Sequence, residues 1–330
     1  GNNVLVELDS GGRLKTDIVI LAIGVRPEIT LAQSAGLEIG ETRGIKVNKH
    51  LQTSHPDIYA VGDAVEIVDL INGSPALIPL AGPANKQGRI VANHICGIED
   101  TYKATQGTSI VKLFDVTVAV TGNNEKTLKK FDIPYLCSYI HSSSHAGYYP
   151  GATPMAIKLL FSPDGGQLLG AQIVGYKGVD KRIDVLATAI RGKMTVYDLQ
   201  ELELAYAPPY SSAKDPVNMA GYVAANILNG HHPVIQWNEL EELDRQNSLL
   251  LDTRTQGEYE MGAIPGSLNI PVDKLRQNLD KLEEYKDRDI VVHCRSGQRS
   301  YVAARILLQN GFKKVRNLSG GYLTWSRANQ

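Results

Sequence analysis

The sequence predicts a multidomain protein that combines an α/β part with an α+β part. The chain has 330 residues, which is enough for two or three domains. Residues 107–174 are rich in β-branched residues and turns, and helical segments follow them, which is typical of α+β layers. After Pro233 short apolar strands alternate with helical segments, and this alternation predicts a small parallel sheet.

Composition limits the function classes. The chain is 43% hydrophobic and 21% charged, as in ordinary globular proteins, and its formal net charge of −1 argues against a nucleic-acid or membrane-surface partner. No apolar run is long enough to span a bilayer, and the first residues are too polar for a signal peptide. The three cysteines, Cys96, Cys137 and Cys294, are far apart. They predict a reducing, cytoplasmic compartment without disulfides and without a structural metal.

The N-terminal third contains predicted elements separated by turns. Alternation over residues 4–8, followed by a turn, and the apolar run Asp17–Ile23 predict a hairpin that leads into a buried strand. Residues 30–35 are predicted to form a short helix that Gly36 ends. Residues 58–61 predict a second buried strand, and residues 83–95 predict a helix.

The central and C-terminal parts differ in the order of their elements. In the central part, strands are predicted near 109–114, 117–121, 135–141, 156–161 and 168–174, and helices near 181–191 and 217–228. Residues 229–233 are predicted to be a linker. Beyond it, strands are predicted at 248–252, 289–293 and 314–317, and helices at 273–282 and 300–310; Asn238 is predicted to cap a helix together with Glu241.

Cys294 stands between a predicted strand and a predicted helix, in the run His293-Cys294-Arg295-Ser296-Gly297-Gln298-Arg299-Ser300. Ligands bind at the carboxyl ends of strands in open α/β sheets. The amides of the helix N-terminus, together with Arg295 and Arg299, favour a thiolate and an attached anion. Ser296 and Gly297 let the backbone curve around one atom, and with Gln298 they are candidate substrate contacts. This loop suits a persulfide, whose outer sulfur is negatively charged.

Two alternatives remain open for this cysteine. One is a buried structural cysteine without chemistry. The other is a cysteine phosphatase, which needs Cys-x5-Arg to surround a phosphate. Here the spacing is Cys-x4-Arg, and Ser300 occupies the position of the phosphatase arginine. The shorter loop favours sulfur over tetrahedral phosphate.

The C-terminal part resembles the rhodanese family. The matching segments are Leu251–Arg254, Glu258-Tyr259, Gly262–Pro271 and Gly320–Trp325, and they extend over the whole part. The resemblance implies that Cys294 carries sulfur and that Arg295 and Arg299 attract the anionic donor or acceptor. It also implies a structural role for Asp252 and Arg254, beside the active loop.

The N-terminal third resembles the flavin-binding half of pyridine nucleotide-disulfide oxidoreductases. Residues 53–64, preceded by 22–27, match the motif in which Asp63 binds a ribityl hydroxyl of FAD and Gly62 allows a close approach of the backbone. Residues 79–89 match the segment under the flavin ring, where Leu80 and Ala81 contact the flavin through their backbones. The alternative is that Asp63 and the second segment only cap helices.

Residues 107–229 resemble the dimerisation domain of the same family, which implies a homodimer. Residues 145–151 and 205–216 resemble those of coenzyme A-disulfide reductases. In those enzymes two tyrosines reach the active cysteine of the partner subunit, and they correspond here to Tyr148 and Tyr206. The resemblance also places Lys214 and Asn85 near coenzyme A. Packing at the dimer interface is the alternative role of the tyrosines.

Taken together, the motifs resemble coenzyme A-disulfide reductase–rhodanese fusions, also known as NADH-dependent persulfide reductases. The expected regions are the tail of an NADH-binding domain (1–28), the second half of an FAD-binding domain (29–106), a dimerisation domain (107–230) and a rhodanese domain (234–330). The implied reaction reduces a small-molecule disulfide or persulfide, such as a coenzyme A persulfide, with FAD and NADH, and releases hydrogen sulfide.

Two motifs of that family are absent from the chain. It has neither a Gly-x-Gly-x-x-Gly motif for a nucleotide nor a Ser-x-x-x-Cys redox motif. We therefore expect the chain to begin inside the family's sequence and not to hold FAD tightly by itself. A stand-alone sulfurtransferase and a non-enzymatic sulfur-relay module remain the alternatives.

Overall fold

The computed structural model of the chain describes residues 3–329, which divide into two units. The first unit contains residues up to 67 together with 75–103, and the second contains 68–74 and the residues from 104 onward. The first unit is built from β1 Val4–Glu7, β2 Arg13–Thr16, α1 Thr30–Ser34, β3 Ile45–Lys46, β4 Val65–Val68, β5 Pro75–Ala76 and α2 Ala81–Ile95. Strands β1 and β2 form the predicted hairpin, and β3, β4 and β5 form a three-stranded sheet.

Two strands predicted in the first unit are not formed. Residues 17–23 have no strand structure, and Ile20 and Ile23 are 84% and 88% exposed. A strand needs a neighbour for its amides and carbonyls, and the described part of the chain pairs no strand with this run. Residues 58–61 form only an isolated antiparallel bridge, Gln52 with Tyr59, in which the carbonyl of Ile58 accepts the amide of Thr53 and the amide of Ala60 donates to the carbonyl of Leu51. The predicted helices are confirmed as α1 and α2.

An antiparallel sheet forms the first half of the second unit. The elements are β6 Ser109–Leu113, β7 Val116–Gly122, α3 Glu125–Lys130, β8 Leu136–Ser143, β9 Pro154–Phe161, β10 Leu168–Gly175, α4 Val179–Arg191, α5 Val196–Glu201 and α6 Pro216–Leu228. The strands follow the order β6-β7-β10-β9-β8, and helices α4 and α6 cover one face of the sheet with apolar side chains. All five predicted strands and both predicted helices are confirmed. The short helices α3 and α5 were not predicted, although Asn124 and Thr195 cap them.

A parallel five-stranded sheet forms the C-terminal half of this unit, as the alternating pattern predicted. The elements are β11 Val234–Ile235, β12 Ser248–Asp252, α7 Gln256–Glu260, β13 Leu268–Asn269, β14 Asp289–His293, α8 Gln298–Gln309, β15 Lys314–Leu318 and α9 Gly321–Ala328, with 3-10 helices at Glu239–Glu242, Val272–Asn278 and Asp280–Tyr285. The strand order is β11-β15-β14-β12-β13, so β14 is the central strand.

Two predictions for the C-terminal sheet domain are corrected. Residues 273–282 form parts of two 3-10 helices instead of one α-helix; tighter turns still bury Leu275 and Leu282, whose apolar spacing produced the prediction. Asn238 does not cap the segment after it with its side chain. Instead, the backbone amide of Gln236 donates to the carboxylate of Glu239 at 2.6 Å. The side chain that holds the start of this 3-10 helix therefore belongs to the first residue of the helix, not to the residue before it.

Side chains of the C-terminal sheet domain cover the free edge of strand β8. This strand pairs with β9 on one side only. On the other side Gln236 donates its amide to the carbonyl of Cys137 at 2.9 Å, and the amide of Tyr139 donates to Ser319 Oγ at 3.0 Å. A Cβ at Gly320, whose φ is +71°, would lie 2.8 Å from Cβ of Tyr139, so the close approach requires glycine here.

Candidate active site

Cys294 follows the central strand of the parallel sheet and is 1% exposed. The strand β14 before it is buried between β12 and β15, which fixes the position of the cysteine. Gly297 has a φ of +103°, and this left-handed turn directs its amide toward Sγ of Cys294 at 3.2 Å. Helix α8 begins at the next residue, so the sulfur lies near its N-terminal amides. Both features favour negative charge on the sulfur.

The carbonyl groups around this loop accept hydrogen bonds from nearby side chains and amides. Thr253 donates its amide and hydroxyl to the carbonyl of His293, at 2.8 and 3.0 Å. Ser300 and Asn317 donate side-chain groups to the carbonyl of Gly297, at 3.1 and 2.9 Å. Because these carbonyls already accept hydrogen bonds elsewhere, their negative ends do not oppose an anionic sulfur. The roles of Thr253, Asn317 and the Ser300 hydroxyl were not predicted from the sequence.

The N-terminus of α9 supports the loop from behind. The amides of Tyr322 and Leu323 donate to the carbonyls of Cys294 and Arg295, at 2.8 and 2.9 Å. Gly321 permits this contact, since a Cβ there would lie 2.6 Å from the carbonyl oxygen of Cys294. The Gly320-Gly321 pair was visible in the sequence, but its contact with the cysteine loop was not predicted.

Arg299 is paired with a carboxylate beside the loop. Its Nη1 and Nη2 atoms donate to Oε2 and Oε1 of Glu258, both at 2.7 Å. These bonds, with further ones from Thr255, lower the pKa of Glu258 to about 2. Arg295 is exposed, and no carboxylate in the described part of the chain pairs with it. The two arginines that were predicted to act together therefore have different surroundings, and Glu258 is a site residue that the sequence analysis missed.

Asp252 and Arg254 form a buried ion pair that supports the same region. The Nη2 and Nε atoms of Arg254 lie 2.6 and 2.9 Å from Oδ2 of Asp252. The guanidinium also donates to the carbonyls of Glu258 and Gly262, at 3.1 and 2.8 Å, and lies 4.1 Å from the centre of the Tyr322 ring. These contacts support the structural role that was expected for the pair.

Three histidines make this unit sensitive to acid: His232 and His293 are buried, and His141 is half-buried. Burial lowers the pKa of His141, His232 and His293 from 6.5 to about 4, and the charges of Arg327 and Arg295 also lower that of His141. Between these two pH values the unfolded chain binds protons that the folded chain excludes. The free energy of unfolding should therefore fall as the pH drops from 6.5 toward 4, by up to ~1.4 kcal/mol per pH unit for each histidine.

Urea unfolding at pH 7 and pH 4.5 measures this loss of stability. His232→Asn should reduce the loss between the two pH values, whereas His231→Asn, at the exposed neighbouring position, should leave it unchanged. An equal loss in His232→Asn and in the unmodified chain would contradict the explanation.

Tyr148 and Tyr206 lie together, although 58 residues separate them in the sequence. Their hydroxyl oxygens are 3.2 Å apart, and Tyr148 is 77% exposed and Tyr206 is 48% exposed. The hydrogen bond between them raises the pKa of Tyr148. Two phenol groups thus face solvent as a pair. Lys214 is also exposed, and no partner for it is found within residues 3–329.

A buried arginine holds the two loops that carry these tyrosines. Arg182 is 1% exposed, and its Nη2 donates to Oδ2 of Asp215 at 2.9 Å and to Oγ of Ser211 at 3.2 Å. The carbonyl of Ser211 accepts the amide of Ala146, at 2.9 Å, which connects the segment of Tyr206 with that of Tyr148. Arg182 was not predicted from the sequence, because an arginine in a helical pattern usually lies on the solvent side.

The residues expected at the flavin lie in the first unit. Gly62 has a φ of +87°, and its amide donates to Oε1 of the buried Gln87 at 2.6 Å. The carboxylate of Asp63 is exposed and makes no bond within the described chain. Leu80 is the N-cap of α2 but provides no side-chain bond to the amides that follow it, and Asn85 donates to the carbonyl of Ala81 at 2.9 Å.

Comparisons with family models cover most of the chain. Residues 1–88 match the pyridine nucleotide-disulphide oxidoreductase model, residues 108–216 match the dimerisation domain of the same family, and residues 237–328 match the rhodanese-like domain. The chain belongs to the pyridine nucleotide-disulphide oxidoreductase family and ends in a rhodanese-like domain. These matches confirm the family resemblance that the sequence motifs indicated. They also confirm the predicted combination of α/β and α+β domains.

Similar proteins include a coenzyme A disulfide reductase of Staphylococcus haemolyticus, strain JCSC1435. It is 39% identical over 224 residues, which are 68% of this chain and 50% of the relative. The chain thus spans about half the length of the curated relatives that it matches. An NADH oxidase of Methanocaldococcus jannaschii is 38% identical over 213 residues, 64% of this chain and 47% of the relative.

Two solved structures resemble nearly the whole chain. Reduced Bacillus anthracis CoADR-RHD has a TM-score of 0.92 and 51% identity, over 98% of this chain and 57% of that one. A NAD-dependent persulfide reductase from A. fulgidus has a TM-score of 0.89 and 38% identity, over 98% of this chain and 58% of that one. Each match includes the rhodanese-like domain, since it extends over almost all of the chain.

Membership in this oxidoreductase family implies the use of a flavin and of NADH. The residues present fit part of a flavin site: Asp63 offers a free carboxylate to a hydroxyl, and the first amides of α2 have no side-chain cap.

Within residues 3–329 no group of three or more histidine, cysteine, aspartate or glutamate side chains is arranged to hold a metal ion. The described helices include none with the length and apolar character needed to cross a membrane.

Proposed function

We propose that this chain acts in a homodimeric, flavin-dependent reductase of the coenzyme A-disulfide or persulfide type, and that its rhodanese-like domain carries sulfane sulfur on Cys294. The structure of the loop carries the second part of the proposal. Its amide from Gly297 faces Sγ, whereas the carbonyls of Cys294, Arg295 and Gly297 bond to α9, Ser300 and Asn317. A loop of this kind stabilises a negatively charged outer sulfur.

Sulfur transfer at Cys294 needs two displacement steps. The Cys294 thiolate attacks the outer sulfur of a donor, the sulfur–sulfur bond of the donor breaks, and the remainder leaves with the bonding electron pair. An acceptor thiolate then attacks the outer sulfur of the Cys294 persulfide, and Cys294 leaves as a thiolate. Gly297 and the N-terminal amides of α8 stabilise the negative charge in both steps.

The remaining candidate residues belong to the reductase function. Asp63, Leu80 and Ala81 would hold the flavin, which supplies electron transfer from NADH when it is bound. Tyr148 and Tyr206 form a phenol pair that would donate hydrogen bonds or a proton to a sulfur atom in the partner subunit. Asn85 and Lys214 are exposed polar groups that would contact coenzyme A. A cytoplasmic location stays a prediction from the cysteine content.

Sulfur loading tests the proposal directly. After incubation with thiosulfate and removal of the excess, the intact mass of the chain should rise by one sulfur atom, and cyanide should reverse the gain and yield thiocyanate. Cys96→Ser, which removes an exposed cysteine, should load equally well. Absence of loading both from thiosulfate and from the monoanionic donor benzenethiosulfonate, or loading that peptide mapping assigns to Cys96 or Cys137, would overturn the assignment of Cys294.

A further inference from the structure

The positive charge beside Cys294 is only partly available to a donor. Arg295 is free of carboxylates within the described chain, but Arg299 has both terminal nitrogens bonded to Glu258. Together, the side chains of Arg295, Arg299 and Glu258 have a net charge of about one positive unit. This charge balances a donor with a single negative charge and leaves a small dianion incompletely compensated.

Glu258 is held firmly in this place. Oε2 accepts the amide and the hydroxyl of Thr255, both at 3.0 Å, in a capping box at the start of α7. The carbonyl of Glu258 accepts Nη1 of the buried Arg254 at 3.1 Å. Because hydrogen bonds hold both the carboxylate and the backbone of Glu258, its side chain does not move aside easily when a donor arrives, and Arg299 stays neutralised.

We propose that Glu258 determines donor selectivity at Cys294, by neutralising Arg299 and so favouring monoanionic organic persulfides over small dianionic donors such as thiosulfate. This inference rests on the proposed sulfur-transfer function and adds the charge class of its donor. Glu258 is a specificity-determining residue here and takes no part in breaking or forming bonds.

Two donors that differ in charge test the proposal. Thiosulfate is a dianion and leaves as sulfite, whereas benzenethiosulfonate is a monoanion and leaves as benzenesulfinate; in both, the Cys294 thiolate takes the outer sulfur and cyanide receives it as thiocyanate. Glu258→Gln should raise kcat/KM for thiosulfate relative to benzenethiosulfonate by about fivefold at low salt, as expected for one partly screened charge. Added salt should reduce this change in the ratio.

Two further variants separate charge from structure. Glu258→Asp retains the charge and should keep the selectivity of the unmodified chain. Asp289→Asn removes a carboxylate that pairs with Arg316 at the other end of β14, roughly 16 Å from the loop by the rise of five strand residues, and should not change the ratio. An equal loss with both donors in Glu258→Gln, or an unchanged ratio, would overturn the inference. Failure of the unmodified chain with both donors would instead overturn the proposed function.

Discussion

Replacing Cys294 by serine is expected to abolish sulfur transfer from thiosulfate to cyanide. A serine hydroxyl remains protonated and forms no persulfide, so the rate of thiocyanate formation should fall on the order of 10³-fold or more. The fold should be preserved, because serine is close in size and Oγ can still accept the amide of Gly297. Circular dichroism and urea unfolding of the variant check this point.

The control for this experiment is Cys96→Ser, which changes a cysteine that is exposed to solvent, far along the chain from Cys294. Its rate should equal that of the unmodified chain. If Cys294→Ser retained a comparable rate, sulfur transfer would have to occur elsewhere, and the sulfurtransferase assignment would be wrong.

Arg254→Met is expected to cost about 3–5 kcal/mol of the unfolding free energy of the C-terminal sheet domain. Asp252 is fully buried and loses three hydrogen bonds from the guanidinium, while the carbonyls of Glu258 and Gly262 lose their donor. An uncompensated buried charge remains in a site where methionine fills much of the volume of the arginine. Most of the cost therefore comes from charge and not from a cavity.

Tryptophan fluorescence during urea unfolding measures the change in this domain alone. Both tryptophans of the chain, Trp237 and Trp325, lie in the C-terminal sheet domain, against the core around Ile235 and Leu318. Arg288→Met, at an exposed arginine of the same domain, should change the unfolding free energy by less than about 0.5 kcal/mol. Adding Asp252→Asn to Arg254→Met should recover part of the loss; no recovery would show that charge is not its main cause.

Much of the second unit was predictable from the sequence, because its elements carry their own local signal. The apolar run 289–293 forms β14, and the helical pattern after Cys294 forms α8. Cys294 and its neighbours were found for the same reason, since Gly297 and the helix start lie within four residues of the cysteine. In the first unit the prediction of a strand at the apolar run 17–23 is wrong, because a strand depends on a neighbouring strand that the local sequence does not specify.

The contacts that shape the site come from distant segments. Glu258 and Arg299 are 41 residues apart, and neither residue type nor spacing indicates that they pair. The support of the loop by Gly321, and the meeting of Tyr148 with Tyr206, depend equally on tertiary structure. Long-range pairs of this kind decide how much charge a donor meets, and they become visible only when the fold is known.

Because the C-terminal sheet domain covers the edge of β8, removing that domain should change how the rest of the chain behaves. Its outward amide at Tyr139 and carbonyl at Cys137 are satisfied by Ser319 and Gln236 from beyond the linker. A shortened chain that ended before Pro233 would leave a row of backbone donors and acceptors open to pair with a second molecule. Such a truncated product is expected to precipitate or to form strand-paired aggregates, so the rhodanese-like domain also protects its neighbour from self-association.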